Sequence, residues 1–186
     1  MQNETLKVIS KRRSIRSYKP EQISEEEVQA IVEAAIYAPT AANLQSWHFS
    51  VVQNPALIAK IRETLKQNML NSKVPGMAER ASAPTFKAFH GAPTIIFLSQ
   101  EASSNFGQID CGIAAENIAL AAESLNIGSC IMTSSVNLFL NDAAGELARE
   151  IGIPAGYKQV CAVTLGYKGE NPQASARKDN LVNYVK

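Results

Sequence analysis

The chain has 186 residues, a formal net charge of +1, 46% hydrophobic and 19% charged residues. That length and balance fit one globular domain with a real core, and nothing in them demands a polyanionic partner or a membrane surface. No segment approaches the roughly 20 consecutive apolar residues needed to cross a bilayer, and the N-terminal MQNETLKVISKRR lacks the apolar run of a secretory leader.

The three cysteines, Cys111, Cys130 and Cys161, are widely spaced among apolar neighbours. They read as buried thiols of a reducing cytoplasm and not as a disulfide framework. With only His48 and His90 available, no metal centre is expected.

In chain order, residues 4–13 predict a helix with Leu6 and Ile9 on one face, ending in Lys11-Arg12-Arg13. Residues 14–19 are expected to extend, because Pro20 disfavours helical backbone in the residue before it. Ser24 followed by Glu27 is a capping box. It opens a helix with the stripe Val28, Ile31, Val32 and Ala35 that stops at Ala38-Pro39. Residues 39–46 form a loop before a strand at 47–52. Asn54-Pro55 restarts a helix through Ile58, Ile61 and Leu65 to about residue 70.

Residues 71–93 lack periodicity and read as a long loop, a length that often marks a lid or a binding element. Residues 94–99 are an apolar strand. The longest helix is expected over 108–125, with Ile113, Asn117, Ile118, Ala121 and Leu125 inward and Gly112 admitting a neighbouring helix. A strand at 128–133, a helix at 142–151 closed by Gly152 and a strand at 159–165 precede a polar tail from residue 166. Mixed but not alternating helices and strands argue for an α+β fold around a small sheet, in a single domain over 1–186.

Hydrolytic and nucleotide motifs are missing from the sequence: no G-x-S-x-G, H-E-x-x-H, Walker loop or G-x-G-x-x-G occurs. Any chemistry therefore points to a bound cofactor. Arg12-Arg13-Ser14-Ile15-Arg16 supplies the guanidinium forks and hydroxyl that a phosphate needs. The same run also suits a solvated helix end that complements the helix dipole. In 39–47, small residues let backbone approach a ligand, while Asn43 and Gln45 offer donors and acceptors for a heterocycle edge; an ordinary polar turn has the same composition. Residues 126–134 form a strand running into a loop whose backbone N–H groups can hold a flat ligand, or a plain buried strand in which Cys130 is inert packing.

Taken together, these segments resemble the FMN-dependent nitroreductase family. The resemblance is carried by RRSIRSY at 12–18, APTAANLQSWHF at 38–49, GAPT at 91–94 and AAESLNIGSC at 121–130, with LGY at 165–167 and ARK at 176–178. It spans essentially the whole chain.

The resemblance implies a central, mostly antiparallel sheet flanked by helices, in an intertwined homodimer with two FMN sites at its interface. Arg12 and Arg177 would hold the phosphate, and Arg13 and Ser14 would lie near the ribityl chain. Arg16 would sit at the flavin N1/O2 edge. Pro39, Thr40, Ala41, Asn43 and Gln45 would come from the second subunit. Backbone groups of Ile131, Met132, Thr133 and Ser134 would face the N5/O4 edge, and Lys66 or Asn68 would approach the pyrimidine ring. Thr40-Ala41 and Ser46 replace the two serines and proline of many relatives, and Thr133-Ser134 replaces a frequent glycine.

The implied activity is hydride transfer from NAD(P)H to flavin N5 and on to an electron-poor small molecule, a nitroaromatic or quinone. No catalytic side chain is required. Phe86, Phe89 and His90 are candidates for the substrate-pocket wall or for a hydrophobic plug. Alternatives are a dedicated metabolic redox substrate, of dehydrogenase or dehalogenase type, and a non-catalytic flavin-binding protein. A nucleic-acid partner is not expected from a nearly neutral chain, and the location expected is the cytoplasm.

Overall fold

The computed structural model describes residues 3–142 and 145–186. Its elements are α1 (Glu4–Lys11), α2 (Glu25–Ile36), β1 (Trp47–Val52), α3 (Pro55–Leu70), α4 (Met77–Ser82), β2 (Thr94–Glu101), α5 (Gly107–Ser124), β3 (Ile127–Met132), α6 (Glu146–Ile151) and β4 (Tyr157–Tyr167). The strands form one sheet in the order β1-β2-β4-β3, with every neighbouring pair antiparallel. This is the expected α+β architecture.

Strand β2 shows why the sheet carries helices on both faces. Side chains alternate across a strand, so its unbroken apolar run sends Ile96 and Leu98 to one face and Ile95 and Phe97 to the other. The first pair packs under α2 and α5 with Ile31, Ala115 and Ile118. The second packs under α3 and α6 with Ile61, Leu65, Leu147 and Ile151. Local signals set the helix ends. Ser24 Oγ accepts from Glu27 N–H at 3.2 Å while the Glu27 carboxylate accepts from Ser24 N–H at 2.8 Å, completing the capping box. The Asn54 side chain accepts from Leu57 N–H at 3.0 Å, with Pro55 in the first turn of α3.

Three expectations change. Residues 71–93 are not structureless: they hold α4 and a 3₁₀ turn over Ala88–Gly91, which buries Ala81, Ala88 and Phe89 against α3 and the sheet. The helix expected over 142–151 starts at Glu146. The Asp142 carboxylate stands outside it and accepts from Leu147 and Ala148 N–H at 3.1 and 2.9 Å; 143 and 144 lie outside the described residues. The inward face of α5 is also different. Cys111, Ala114, Ala115, Ile118 and Ala122 face the core, whereas Ile113 and Leu125 are exposed, and no atom lies within 4 Å of a Cβ built at Gly112. This helix is apolar on nearly every side, so periodicity selects no single stripe. The small residues take the tight space against the sheet, and Phe106, Ile109 and Ile113 are left outward.

Between α1 and α2 the chain crosses the far edge of the sheet. Ile15 N–H donates to Ser129 O at 2.8 Å, Ser14 forms a parallel bridge with Ser129, and Tyr18 bridges Lys168. Two glycines permit this contact. A Cβ at Gly128 would lie 3.0 Å from Ile15 Cγ2, and one at Gly166 would lie 2.8 Å from Pro93 Cδ and 3.0 Å from Tyr18 Cδ1. The Tyr18 hydroxyl donates to Ile15 O at 2.7 Å and lies 2.8 Å from Thr164 Oγ1. Burial pushes its ionisation well above the ordinary range of a phenol.

Gly166→Ala forces a methyl onto the rigid Pro93 ring. Its expected cost is about 1–3 kcal/mol, the usual penalty of overpacking, which lowers Tm by roughly 2–12 °C for a domain of this size. Thermal unfolding followed by circular dichroism checks it, and an unchanged Tm would show that Pro93 yields without cost.

Candidate functional site

The arginine segment leaves α1 with its groups partly committed. Arg12 Nε pairs with Glu116 Oε1 on α5 at 3.3 Å and is 22% exposed. Arg13 Nη1 donates to Ser10 O and Arg12 O at 2.7 Å each, tying down the helix end as the solvated-terminus reading anticipates. Arg16 N–H donates to the Glu170 carboxylate, and its Nη1 donates to Ser14 O at 3.4 Å.

These residues and the tail enclose a polar cavity of about 290 Å³. Arg12, Arg13, Ser14 and Arg16 line it on one side, and residues 172–175 and Arg177 line it on the other. Four guanidinium groups and a hydroxyl facing one recess are the donor set of a phosphate site. On β3, Cys130 lies against this segment: its thiol interacts with Ser14, Arg12 and Arg16. Burial nonetheless outweighs those influences and raises its pKa, so the thiol stays protonated and inert. Cys111 and Cys161, buried in the core, are pushed up to about 12.

From Ser129, which pairs with the arginine segment, β3 runs to Met132 at the mouth of a second cavity. Three residues of strand span about 10 Å. This cavity, of about 270 Å³, is lined by Leu65, Met69, Met77, Phe86, Phe89 and Met132, with Arg80, Lys87, His90, Ser134 and Asn137 among the polar contributors. Phe86, Phe89 and His90 thus do line a cavity together. Phe89 is also a plug: it is fully buried and meets Phe97 edge-on, with ring centroids 5.8 Å apart. Phe89 and His90 both adopt left-handed backbone, at φ 51° and 54°. Bulky residues rarely do so, and strain of this kind collects at binding sites.

Of the 131–134 group, Met132 and Ser134 line the cavity, while Ile131 packs against the core cluster under α2 and α5. Thr133 and Ser134 open a 3₁₀ segment over Thr133–Phe139. Asn68 anchors that segment, donating to Asn137 O at 3.0 Å and Leu138 O at 2.9 Å and accepting from Asn141 at 2.8 Å. Lys66 lines a separate groove with Arg62 and Glu63. Met69, Met77, Arg80 and Lys87 were not singled out from the sequence. The local signal for them is three of the chain's four methionines returning to one place, which no periodicity reveals.

The loop at 39–45 is elsewhere. It enters β1, at the sheet edge opposite β3, and the arginine segment lies beyond β3 through the Ser14–Ser129 bridge, so about four strand spacings of roughly 4.8 Å each separate the two. Ala42, Asn43 and Gln45 are left-handed, at φ 49°, 53° and 50°. Asp110 Oδ1 accepts from Ala41 N–H at 3.2 Å, Thr40 Oγ1 accepts from Gln45 N–H at 3.1 Å, and Gln45 Nε2 donates to Asn43 Oδ1 at 3.0 Å. Pro39 is exposed at the start of this loop. Within one chain, then, the two polar groups singled out from the sequence do not meet.

An antiparallel sheet between helical layers is an arrangement found in known proteins. Residues 9–167 match the model of the nitroreductase family. A protein of Archaeoglobus fulgidus is 32% identical over 165 residues, 88% of this chain and 85% of its own length. The NADPH-flavin oxidoreductase of Vibrio harveyi is 26% identical over 187 residues, 94% of this chain and 70% of its own. The crystal structure of a nitroreductase with bound FMN from Desulfitobacterium hafniense DCB-2 superimposes with a TM-score of 0.94 at 33% identity, covering 100% of both chains. This chain belongs to the nitroreductase family.

His90 carries a prediction of its own. Burial first, then the positive charges of Arg16 and Arg80, lower its pKa, with Glu170 opposing. An NMR titration is expected to place its midpoint below the ordinary 6.5, and Arg80→Gln should move it upward. The fold favours the neutral ring, so His90 contributes stability above pH 6.5 that is lost as the pH falls through the native midpoint. A midpoint at or above 6.5 would contradict this.

Proposed function

We propose that this protein is an FMN-dependent oxidoreductase that takes reducing equivalents from NAD(P)H and delivers them to an electron-poor small molecule, a nitroaromatic or a quinone. The observation that carries the reading is the recess of Arg12, Arg13, Ser14, Arg16 and Arg177, whose donors suit a phosphate ester and continue along β3 into an apolar cavity. FMN bound in a similar nitroreductase and the NADPH-flavin oxidoreductase among its relatives support the choice of cofactor and donor. FMN, when bound, supplies the hydride relay: one hydride and one solvent proton turn a quinone into its hydroquinone, or a nitro group into a nitroso group and water.

The chain's own residues bind, orient and tune. Arg12 and Arg177 neutralise the phosphate, and Ser14 offers a hydroxyl beside it. Arg16 brings a positive charge that favours electron-rich states of a nearby ring. Backbone at 131–134 lies where β3 reaches the apolar cavity, which keeps water from the reacting edge. No side chain is assigned as acid or base: His90 is held neutral, and the cysteines stay protonated. Buried free thiols agree with a reducing cytoplasm, and among the described residues no helix is long and apolar enough to cross a membrane.

The working unit in this reading is a homodimer. Leu6 and Ile9 on α1, Ile109 and Ile113 on α5, Leu44, and Leu181, Val182, Tyr184 and Val185 in the tail expose far more apolar surface than single scattered residues would. A second copy that covers the α5 stripe can bring its own strained 39–45 loop to the arginine recess, which supports assigning Pro39, Thr40, Ala41, Asn43 and Gln45 to the partner's cofactor.

Arg12→Ala and Arg177→Ala are each expected to weaken FMN binding about 10- to 100-fold, the effect of losing one charge-assisted hydrogen bond. Quenching of flavin fluorescence measures this. Anaerobic NADPH or NADH should bleach the bound flavin, and a flavin that neither nucleotide bleaches would leave a binding protein and remove the enzyme. Ile109→Glu places a charge in the proposed dimer face. Analytical ultracentrifugation is expected to show monomer, with FMN retention lost in parallel; a monomer that keeps its flavin would separate the site from the dimer.

A further inference from the structure

We propose that the apolar cavity selects a planar aromatic acceptor bearing a carboxylate, with Arg80 and Lys87 recognising the charge. The acceptor's role rests on the oxidoreductase reading above, whereas the cavity's preference for aromatic anions follows from its own lining.

That lining divides by chemistry. Met69, Met77, Met132 and Phe86 offer an apolar surface of flexible thioethers and one aromatic face, suited to rings of varied outline. No carboxylate lines the cavity, yet Arg80 and Lys87 both do. Among the described residues neither side chain has a hydrogen-bond or ion-pair partner, in contrast to Arg12, Lys60 and Lys168, which are paired. Two unpaired cations beside an apolar recess are half of an ion pair. Against that low-dielectric wall an anion is attracted more strongly than in open water, and the arginine fork matches carboxylate geometry.

Arg80 acts on the cavity wall itself, because its charge is one of those that hold His90 neutral. A neutral His90 can still offer an N–H to the ligand without adding to the charge. Lys87 precedes the 3₁₀ turn Ala88–Gly91, which carries the left-handed pair Phe89 and His90 along this wall.

The methionines make the test direct, since three of the four in the chain line this cavity. FMN-loaded protein labelled with ¹³C at the methionine methyls is titrated with benzoate and, separately, with benzyl alcohol. Benzoate is expected to shift the signals of Met69, Met77 and Met132 at about tenfold lower concentration. The double variant Arg80→Gln with Lys87→Gln should abolish that difference, while circular dichroism reports whether it is folded. In turnover, the ratio of kcat/KM for 4-nitrobenzoate over its methyl ester should fall about tenfold in the double variant, through KM. Equal binding of the acid and the alcohol overturns the proposal, as does a ratio that the double variant leaves in place. A rise in KM for NADPH that spares NADH, with no change in that ratio, would give the cations to the donor's phosphate and also overturn it. If the protein reduces neither nitro compound, the oxidoreductase reading fails, and the methyl titration still decides the cavity.

Discussion

The contact on which the rest depends is the crossing of residues 14–18 over the β3 edge. Ile15 N–H on Ser129 O and the Tyr18 hydroxyl between Ile15 O and Thr164 join the N-terminal segment to two strands. Gly128 and Gly166 are the reason it can lie so close, since a Cβ at either would meet Ile15, or Pro93 and Tyr18, at 3.0 Å or less. The arginines proposed to hold a phosphate inherit their position from this seam. Arg12 and Arg13 precede it, Arg16 is inside it, and Glu170 reaches back to the Arg16 N–H.

With that seam in place, the recess of arginines and the methionine-lined cavity become neighbours along one strand. One is polar and cationic, the other apolar with cations at its side. The chain spends its strain at the same places: left-handed Phe89 and His90 at the cavity, and Ala42, Asn43 and Gln45 in the loop that a partner would need. Such conformations persist only where surrounding contacts over-determine them, as Asp110 and Thr40 do for the loop.

The outward stripe of α5 explains why one chain looks incomplete. Its small residues face the sheet and its large ones face away. A monomer gains nothing from exposing Ile109 at 66%. A second copy would give that surface a use and would also resolve the separation between the 39–45 loop and the arginine segment, which lie at opposite edges of the sheet.

Local chemistry was readable in the sequence wherever contributors are neighbours in the chain. The capping box at Ser24 and Glu27, the Pro55 helix start, the two-sided apolar strand β2 and the cluster Arg12–Arg16 each depend on residues a few positions apart. The sequence by itself determined a mixed α+β chain and a cationic cluster at 12–16, while the mostly antiparallel sheet was implied only by its family resemblance. Tertiary structure decided what periodicity cannot encode. It chose which face of α5, apolar on nearly every side, turns inward, ordered 71–93 as α4 and a tight turn, committed Asn68 to holding a backbone, and drew Met69, Met77, Met132, Arg80 and Lys87 together. The physical reason is packing: those residues come from α3, α4, β3 and the turn before β2, and only the space left between these elements brings them to one cavity.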